Sequence, residues 1–389
     1  SFLNPEGFWD DHKEFAGRYD IYSADVLLFL QPLWPLIRED ASAKQKLDVM
    51  LQKIVDLGET IALEGGVSWA YGRTINGHSQ AMLMELMSMA LAEGLSSDES
   101  RAFALVREGF KNLSSSFRDG YCDLQRDKAI ERYRSAWRIF ESTVDILGKF
   151  CYTSDQLKAC DEANAAWAKK PKSLFPIQDR WISFDEKNAG LWTFRNRKMA
   201  FQLPVVAIND PASYLPFPHA PGVFENACDN FLLSGSPRLL LEGRQYTTSG
   251  RPAEVVKKKN SLQLRYDAWL ACDEVPYSGI LIPFLPVKKS DKAFLRGARD
   301  VTFTVVDNRL LVEEKWSFED LPSAIQLDIA EANKKFKIEL KCASPFTSNV
   351  MPVEGLPDWR SVWGTVKNLH QFSLEPKKEI NLGYSIALK

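Results

Sequence analysis

The segment from Ser79 to Glu93 is apolar on nearly every side of a helix, with Met, Leu or Ala at most of its positions. A helix of this kind is stable only when other elements bury it all round. The segment from Ser100 to Leu113 instead carries its apolar residues on one face and its charged residues on the other. This pattern predicts an outer helix that covers the inner one.

The same alternation occurs on both sides of this pair. Ala24 to Ile37 is densely apolar and Lys44 to Leu63 is amphipathic, while Ala136 to Cys151 and Ser154 to Lys169 are predicted as a third pair with Ser154 as the N-cap. Alternating buried and half-buried helices are typical of a ring of helical hairpins. Three pairs make half of a usual ring, so we expect a preceding segment of the ring to be missing from this chain.

After Pro171 the sequence changes to short β-type runs separated by Pro, Gly, Asn and Asp, and Val305 to Leu311 is typical of a hairpin. We therefore predict an α+β multidomain chain. Residues 1–170 are expected to form a helical-hairpin (α/α) toroid that is truncated at its N-terminus, or only its C-terminal half. Residues 171–389 are expected to form an antiparallel β-sandwich.

Composition excludes several classes of function. With 49 basic and 51 acidic side chains, the chain lacks the positive charge that nucleic acid requires, and its one basic run, Lys257 to Lys259, predicts a solvated turn. Six cysteines without a Cys-x-x-Cys pair indicate neither a disulfide framework nor a zinc site, and they favour a reducing compartment. Ser1 to Asp10 lack the basic and apolar blocks of a signal peptide, so we expect a cytoplasmic location. No apolar run approaches the ~18 residues of a membrane span, so no membrane partner is expected. Nucleotide-binding, zinc-protease and serine-hydrolase motifs are absent, and we expect neither a metal nor an organic cofactor.

Loops that enter the inner helices would line one mouth of such a ring. The loop before the first inner helix carries Trp9, Asp10, Asp11, Arg18, Tyr19, Asp20 and Tyr22. Paired carboxylates beside aromatic rings suit the cleavage of a glycosidic bond, in which one acid protonates the leaving oxygen and another activates water or attacks carbon. The alternative is structural, with Asp20 as a helix cap and Trp9 and Tyr19 as packing residues.

Two further clusters precede the next inner helices. The second contains Trp69, Tyr71, Arg73 and His78. Arg73 could bind the carboxylate of a uronic acid in bidentate fashion, and His78 could exchange a proton near neutral pH or be a structural histidine. The third contains Asp119, Tyr121 and Arg134. Arg134 could extend a subsite for an anionic sugar or belong to a surface ion-pair network, and Asp119-Gly120 is typical of a turn.

These clusters resemble the bacterial and fungal proteins of domain-of-unknown-function family 2264, in the six-hairpin glycosidase clan. The matching pieces are Gly7 to Asp11, Arg18 to Ser23, Tyr71 to Thr74, Tyr133 to Lys149 and Arg265 to Trp269. The resemblance implies a toroid followed by a β-sandwich, and some relatives are assigned to hydrolases of glucuronic-acid-containing glycans. The chain departs from the family at Thr74, where Ser is commoner, and at Gly77-His78, where many bacterial members have Tyr-Arg.

Three hypotheses follow for a chain whose expected partner is an oligosaccharide or polysaccharide. The first is a hydrolase of a uronic-acid-containing glycan, with Asp10, Asp11 or Asp20 as acid and base and Arg73 on the sugar carboxylate. The aromatic side chains of Trp9, Tyr19, Trp69 and Tyr71 would shape its sugar-binding subsite. The second is a polysaccharide lyase with Tyr71 or His78 as the base. The third is a glycan-binding or structural protein without catalysis, because a fold alone does not establish activity.

Overall fold

A computed structural model describes residues 20–63, 77–122, 135–160, 169–184, 188–205, 223–227, 230–233, 236–248, 252–272, 294–331, 336–352, 360–361, 364–365 and 368–388. These residues divide into two compact units, a helical unit that ends at Pro176 and a β unit that begins at Ile177. The chain therefore combines helices with antiparallel sheet. None of the described helices is both long enough and apolar enough to cross a membrane.

The helical unit contains six described α-helices. They are α1 (Asp20–Phe29), α2 (Trp34–Ile37), α3 (Ala41–Ile61), α4 (Gly77–Ala92), α5 (Glu99–Ser114) and α6 (Ser135–Ala159). A small hairpin of β1 (Phe117–Arg118) and β2 (Tyr121–Cys122) lies between α5 and α6 in the chain.

Helix α4 is the buried helix that the sequence predicts. Its residues from Ser79 to Leu91 are all buried. Helices α3 and α5 pack against it through two glycines, because a Cβ atom at Gly58 would lie 2.7 Å from a methyl carbon of Leu86, and one at Gly109 would lie 3.1 Å from Cβ of Met84. The inner and outer roles predicted for α4 and α5 are confirmed.

Two helix predictions are wrong in detail. The segment from Ala24 to Ile37 is not one helix, because a 3-10 turn at Gln31–Leu33 separates α1 from α2, and the prolines at positions 32 and 35 cannot continue a helix without losing backbone hydrogen bonds. The segments around Cys151 and Ser154 are a single helix, α6, so Ser154 is an interior residue and not an N-cap. No Gly or Pro interrupts the sequence between the two predicted helices.

The β unit contains most of the strands that its short apolar runs predict. They are β3 (Gln178–Ser183), β4 (Gly190–Arg195), β5 (Ala200–Val205), β6 (Val223–Ala227), β7 (Asn230–Leu233), β8 (Ser236–Leu241), β9 (Arg244–Thr248), β10 (Glu254–Lys258), β11 (Ser261–Cys272), β12 (Phe294–Val306), β13 (Arg309–Phe318), β14 (Ala324–Glu331), β15 (Phe336–Cys342), β16 (Phe346–Pro352), β17 (Arg360–Ser361), β18 (Gly364–Thr365), β19 (Asn368–Leu374) and β20 (Glu379–Leu388).

Most of these strands form one continuous antiparallel sheet, and β17 and β18 form a separate small ladder. The main order is β15-β20-β13-β12-β11-β9-β8-β14-β7-β6-β5-β4-β3, with β10 beside β11 and β19 joining β14 to β16. The predicted hairpin at Asp307 is confirmed, because β12 and β13 pair up to Val306 and Arg309 around it. The backbone of Asp307 has a φ of 56°, which suits a tight connection.

The sheet curls back on itself. Although many strands separate β3 from β10 in the sheet order, Asp179 on β3 accepts hydrogen bonds from Lys257 at 2.6 Å and from the backbone N–H of Asn260 at 2.7 Å. Lys257 also lies 5.0 Å from the ring centre of Trp192. Burial alone would raise the pKa of Asp179, but its hydrogen bonds with Lys257, Asn260 and Trp192 outweigh burial and lower the pKa. The prediction of a solvated turn is therefore wrong for Lys257, which belongs to a strand.

A charged cluster lies inside the apolar core of the β unit. On β13 the side chains alternate between the core and solvent, and Glu314 occupies a core position. Its carboxylate accepts two hydrogen bonds from Arg299, at 2.7 and 2.8 Å, and a third from Trp316 at 2.6 Å. Both charged side chains are almost fully buried. Burying this pair is tolerated because both oxygens of the carboxylate accept hydrogen bonds.

We expect Glu314→Ala to lower the free energy of unfolding by about 3–5 kcal/mol, because it leaves the Arg299 guanidinium buried without its carboxylate. Urea unfolding of the full chain measures this loss. The control is Glu313→Ala, at the adjacent exposed position, for which a change within about 0.5 kcal/mol is expected. Similar small losses in both variants would show that the buried pair contributes little to the free energy of unfolding.

Candidate active site

Polar side chains connect α1, α4 and α6 at three successive levels inside the helical unit, and we call this set the polar ladder. Its members are His78 and Asp145 at the first level, Asp25, Glu85 and Lys149 at the second, and Gln31, Ser88 and Gln156 at the third. On every helix the residue numbers rise through the levels in the same order. Helices α1, α4 and α6 therefore run parallel, and their N-terminal ends point the same way.

The outer helices run in the opposite direction. Gln52 on α3 donates a hydrogen bond to the carbonyl of Leu95, just beyond the C-terminal end of α4. Gly58, one and a half turns later on α3, lies beside the middle of α4. Gly109, in the second half of α5, lies near Met84, in the first half of α4. Parallel inner helices separated by antiparallel outer ones fit a series of hairpins, but a closed toroid is not shown.

The first level of the ladder is a histidine paired with a carboxylate. Nδ1 of His78 lies 2.9 Å from Oδ2 of Asp145. Because an ionised carboxylate can only accept, this geometry places a proton on Nδ1 of the imidazole. His78 is the second residue of α4, and its side chain is 19% exposed, whereas that of Asp145 is 45% exposed. The pair thus lies at the solvent-accessible end of an otherwise buried helix.

The second level is a buried lysine held by two carboxylates. Nζ of Lys149 lies 2.9 Å from Oε2 of Glu85 and 2.9 Å from Oδ1 of Asp25. Burial alone would lower the pKa of Lys149, but the charges of Glu85, Asp25 and Asp145 outweigh burial and raise it. Burial raises the pKa of Glu85, and Lys149 opposes this effect. Lys149 is therefore a permanent cation that joins three helices directly below the His78–Asp145 pair.

The third level closes the ladder with neutral groups. The hydroxyl of Ser88 hydrogen-bonds Oε1 of Gln156, whose amide donates to Oε1 of Gln31 at 3.0 Å. Gln31 belongs to the 3-10 turn that follows α1. These hydrogen bonds fix the spacing of the same three helices at a second point, since buried amides are satisfied in only a few orientations.

The parallel arrangement brings Asp20 to the same end as His78. Asp20, the first residue of α1, precedes Asp25 by five residues, and His78 precedes Glu85 by seven. At a rise of 1.5 Å per residue, the two backbones lie about 7.5 Å and about 10.5 Å beyond the second level. Tyr22 belongs to the same first turns of α1. The structure describes the backbone of Asp20 and Tyr22 and not their side chains.

Two other predicted site residues lie in the small hairpin. Asp119 and Gly120 form its two-residue turn, with φ values of 51° and 84°, and Tyr121 begins the strand that follows. Both Asp119 and Tyr121 are exposed. The turn interpretation of Asp119-Gly120 is confirmed. The remaining predicted site residues, Trp9, Asp10, Asp11, Arg18, Tyr19, Trp69, Tyr71, Arg73 and Arg134, lie outside the described residues.

The partners of His78 were not predicted from the sequence. Asp145, Lys149 and Gln156 occur at helical spacing on α6, and Glu85 is the only charged residue within the apolar run of α4 from Ala81 to Leu91. A carboxylate in the middle of an all-buried helix requires a cation nearby. The buried position of Glu85 is therefore the sequence feature from which the polar ladder could have been predicted. Within the part of the chain that the structure describes, no group of three or more His, Cys, Asp or Glu side chains could hold a metal ion.

Comparison with known proteins does not assign a family. No protein-family model matches the chain, and neither does any curated protein. Among solved structures, a 4-alpha-glucanotransferase from Thermococcus litoralis is similar over 78% of this chain and 49% of its own, with 7% identity and a TM-score of 0.35. A heparinase III is similar over 98% of this chain and 59% of its own, with 12% identity and a TM-score of 0.34. Scores this low do not establish a shared fold, and membership of family 2264 is not confirmed.

We expect Lys149→Met to destabilise the helical unit by about 3 kcal/mol or more, because it leaves Glu85 without its cation in the interior. The matched control is Lys158→Met, on the same helix, whose side chain is 74% exposed and whose loss should cost less than about 1 kcal/mol. Urea unfolding followed by circular dichroism in the helical region measures both. An equal effect of the two substitutions would show that the ladder does not hold the helices together.

Proposed function

We propose that the protein is a carbohydrate-active enzyme that cleaves a uronic-acid-containing glycan, and that His78, oriented by Asp145, transfers the proton. The His78–Asp145 hydrogen bond of 2.9 Å carries the proposal. When Nδ1 of a histidine donates to a carboxylate, the tautomer and the orientation of the ring are fixed. Nε2 then carries no proton and can accept one from a substrate. The pair also lies where the sequence places its candidate sugar-binding residues, directly after Trp69 to Arg73.

This pair favours β-elimination as the reaction. Nε2 of His78 would take the proton from the carbon next to the sugar carboxylate. The electrons of that C–H bond form a carbon–carbon double bond, and the neighbouring carbon–oxygen bond of the glycosidic linkage breaks. The departing oxygen then takes the proton from Nε2, which returns the imidazole of His78 to its neutral form. The carboxylate must be stabilised while the adjacent carbon loses its proton.

Two features support an anionic sugar at this end of the helical unit. The N-terminal ends of α1 and α4 point toward it, and helix N-termini stabilise negative charge. Arg73, which the sequence predicts to bind a carboxylate, lies four residues before the start of α4. The sugar-binding role of Arg73 stays a prediction, as do those of Trp9, Tyr19 and Tyr71.

Hydrolysis is the second candidate, and the position of Asp20 favours it. Asp20 starts α1 at the same end of the parallel helices as His78, so a carboxylate and a histidine could act on one bond as acid and base. Asp10 and Asp11 remain the other predicted carboxylates for this reaction. A non-catalytic glycan-binding protein is the outcome if neither reaction occurs.

The experiment is a cleavage assay on oligosaccharides of glucuronic and galacturonic acid, with reducing ends and ultraviolet absorbance recorded together. Elimination produces both signals, because its product contains a new double bond, and hydrolysis produces reducing ends alone. We expect both signals. We expect His78→Ala to lower kcat by about 10²–10⁴-fold, since a positioned general base contributes that much, and Asp145→Asn to lower it by a smaller factor.

The control for Asp145→Asn is Asp155→Asn, an exposed carboxylate ten residues later on α6, which should leave kcat unchanged. Reducing ends without absorbance, together with a loss of turnover in Asp20→Asn, would establish hydrolysis in place of elimination. Full turnover in His78→Ala would refute the role of His78. Binding of the oligosaccharides without cleavage would refute catalysis.

A further inference from the structure

The second level of the polar ladder lies where it can act on the first. Lys149 follows Asp145 by one helical turn on α6, and Glu85 follows His78 by two turns on α4. The side chains of Lys149 and Glu85 are 8% and 5% exposed, so water screens their charges only weakly. Asp145 is one of the carboxylates that raise the pKa of Lys149, as expected for opposite charges one helical turn apart.

We propose that Lys149 is a positioning residue of the proposed active site, which acts on His78 through Asp145: it holds the helices that carry the pair and offsets part of the negative charge around the imidazole. This inference rests on the proposed function for its catalytic consequence, but not for its physical test. Asp145 lies beside the imidazole, and two further carboxylates, Asp25 and Glu85, surround Lys149 on the second level of the ladder. Without a cation among them, their combined negative charge would favour the protonated imidazolium, which cannot accept a proton.

Lys149 can act on the His78–Asp145 pair in two ways, through its ion pairs and through its charge. Its two ion pairs hold α1 and α4 against α6 one level below the pair, so they fix the distance across which His78 must reach Asp145. Its charge also offsets one of the three negative charges at close range. A hydrogen-bonded neutral residue at this position could supply the first effect and not the second.

The other charged groups around α4 do not replace Lys149. On the opposite side, Arg101 of α5 pairs with Glu59 of α3, with 3.7 Å between Nη1 and Oε2, and donates to the backbone carbonyl of Glu59. The other described charged side chains on α5 and α6 lie at exposed or half-exposed positions. These are Glu99, Arg107, Glu108, Lys111, Glu141, Asp155 and Lys158.

The test follows the titration of the His78 ring by NMR in the full chain labelled with ¹³C-histidine, with the signal assigned by its loss in His78→Gln. In Glu85→Gln the lysine remains and one negative charge is removed, so the titration midpoint should move to lower pH by about 0.5–1 unit. In Lys149→Gln the midpoint should move to higher pH. The rise should be the smaller change, because Glu85 can itself take up a proton.

Two further variants separate charge from structure. Lys149→Arg keeps the charge and should restore the midpoint of the unmodified chain. The double variant Glu85→Gln/Lys149→Gln removes one charge of each sign and leaves a neutral pair that can hydrogen-bond, so its midpoint should also return close to the starting value. Lys158→Gln, which removes an exposed cation from the same helix, should produce no change.

The proposal is overturned if Glu85→Gln and Lys149→Gln move the midpoint in the same direction, or if neither moves it. It is also overturned if the double variant shifts the midpoint as far as a single one, because the effect would then come from altered packing. These measurements need no substrate. The expected midpoints in a chain that cleaves no glycan would refute the proposed function alone, whereas cleavage with unchanged midpoints would refute the role of Lys149 alone.

Discussion

The helical unit depends on the ion pairs of one buried lysine. A lysine inside a protein is costly unless anions surround it, and Lys149 has carboxylates from two other helices within hydrogen-bonding distance. The pairs are satisfied in only one relative arrangement of α1, α4 and α6. Apolar contacts alone would tolerate a helix sliding by a turn, since Met and Leu side chains repack easily. The charged contacts thus specify the alignment of helices that the apolar contacts hold together.

The β unit also buries a cation beside a carboxylate, but the cation is an arginine and not a lysine. One of its buried cations is Arg299, whose planar guanidinium binds both oxygens of Glu314, and Trp316 donates a further hydrogen bond. The carboxylate of Glu314 is surrounded by hydrogen-bond donors on the sheet, and these donors are themselves buried. Lys149 differs because one of the charges near it, Asp145, is half-exposed and faces a histidine at the end of the helix. In the helical unit a buried charge therefore lies one helical turn from a solvent-accessible group.

Periodicity predicted the elements well and the polar contacts poorly. The all-round apolar pattern of α4 and the amphipathic pattern of α5 predicted an inner and an outer helix, because burial acts on every residue of a helix. The boundary of α6 was missed because Ser154 has the chemistry of an N-cap, and only tertiary packing decides whether such a residue caps a helix or continues it. His78 was selected from the sequence, but its partner Asp145 lies 67 residues away. Without the relative direction of α4 and α6, nothing in the sequence selects Asp145 over the neighbouring Glu141.

The burial of α4 limits where this unit can carry out chemistry. A helix that is apolar all round can offer a reactive side chain to a substrate only at its ends. At the C-terminal end, Glu93 is paired with Arg38 at 2.7 Å, and the connection to α5 is held by hydrogen bonds from Ser96 and Ser97 to Glu59. That end is occupied by contacts that fasten the outer helices. At the N-terminal end, His78 lies beside the partly exposed Asp145 of α6, and the parallel helix α1 begins at the same end. The burial that stabilises α4 therefore leaves the proposed active site this one end.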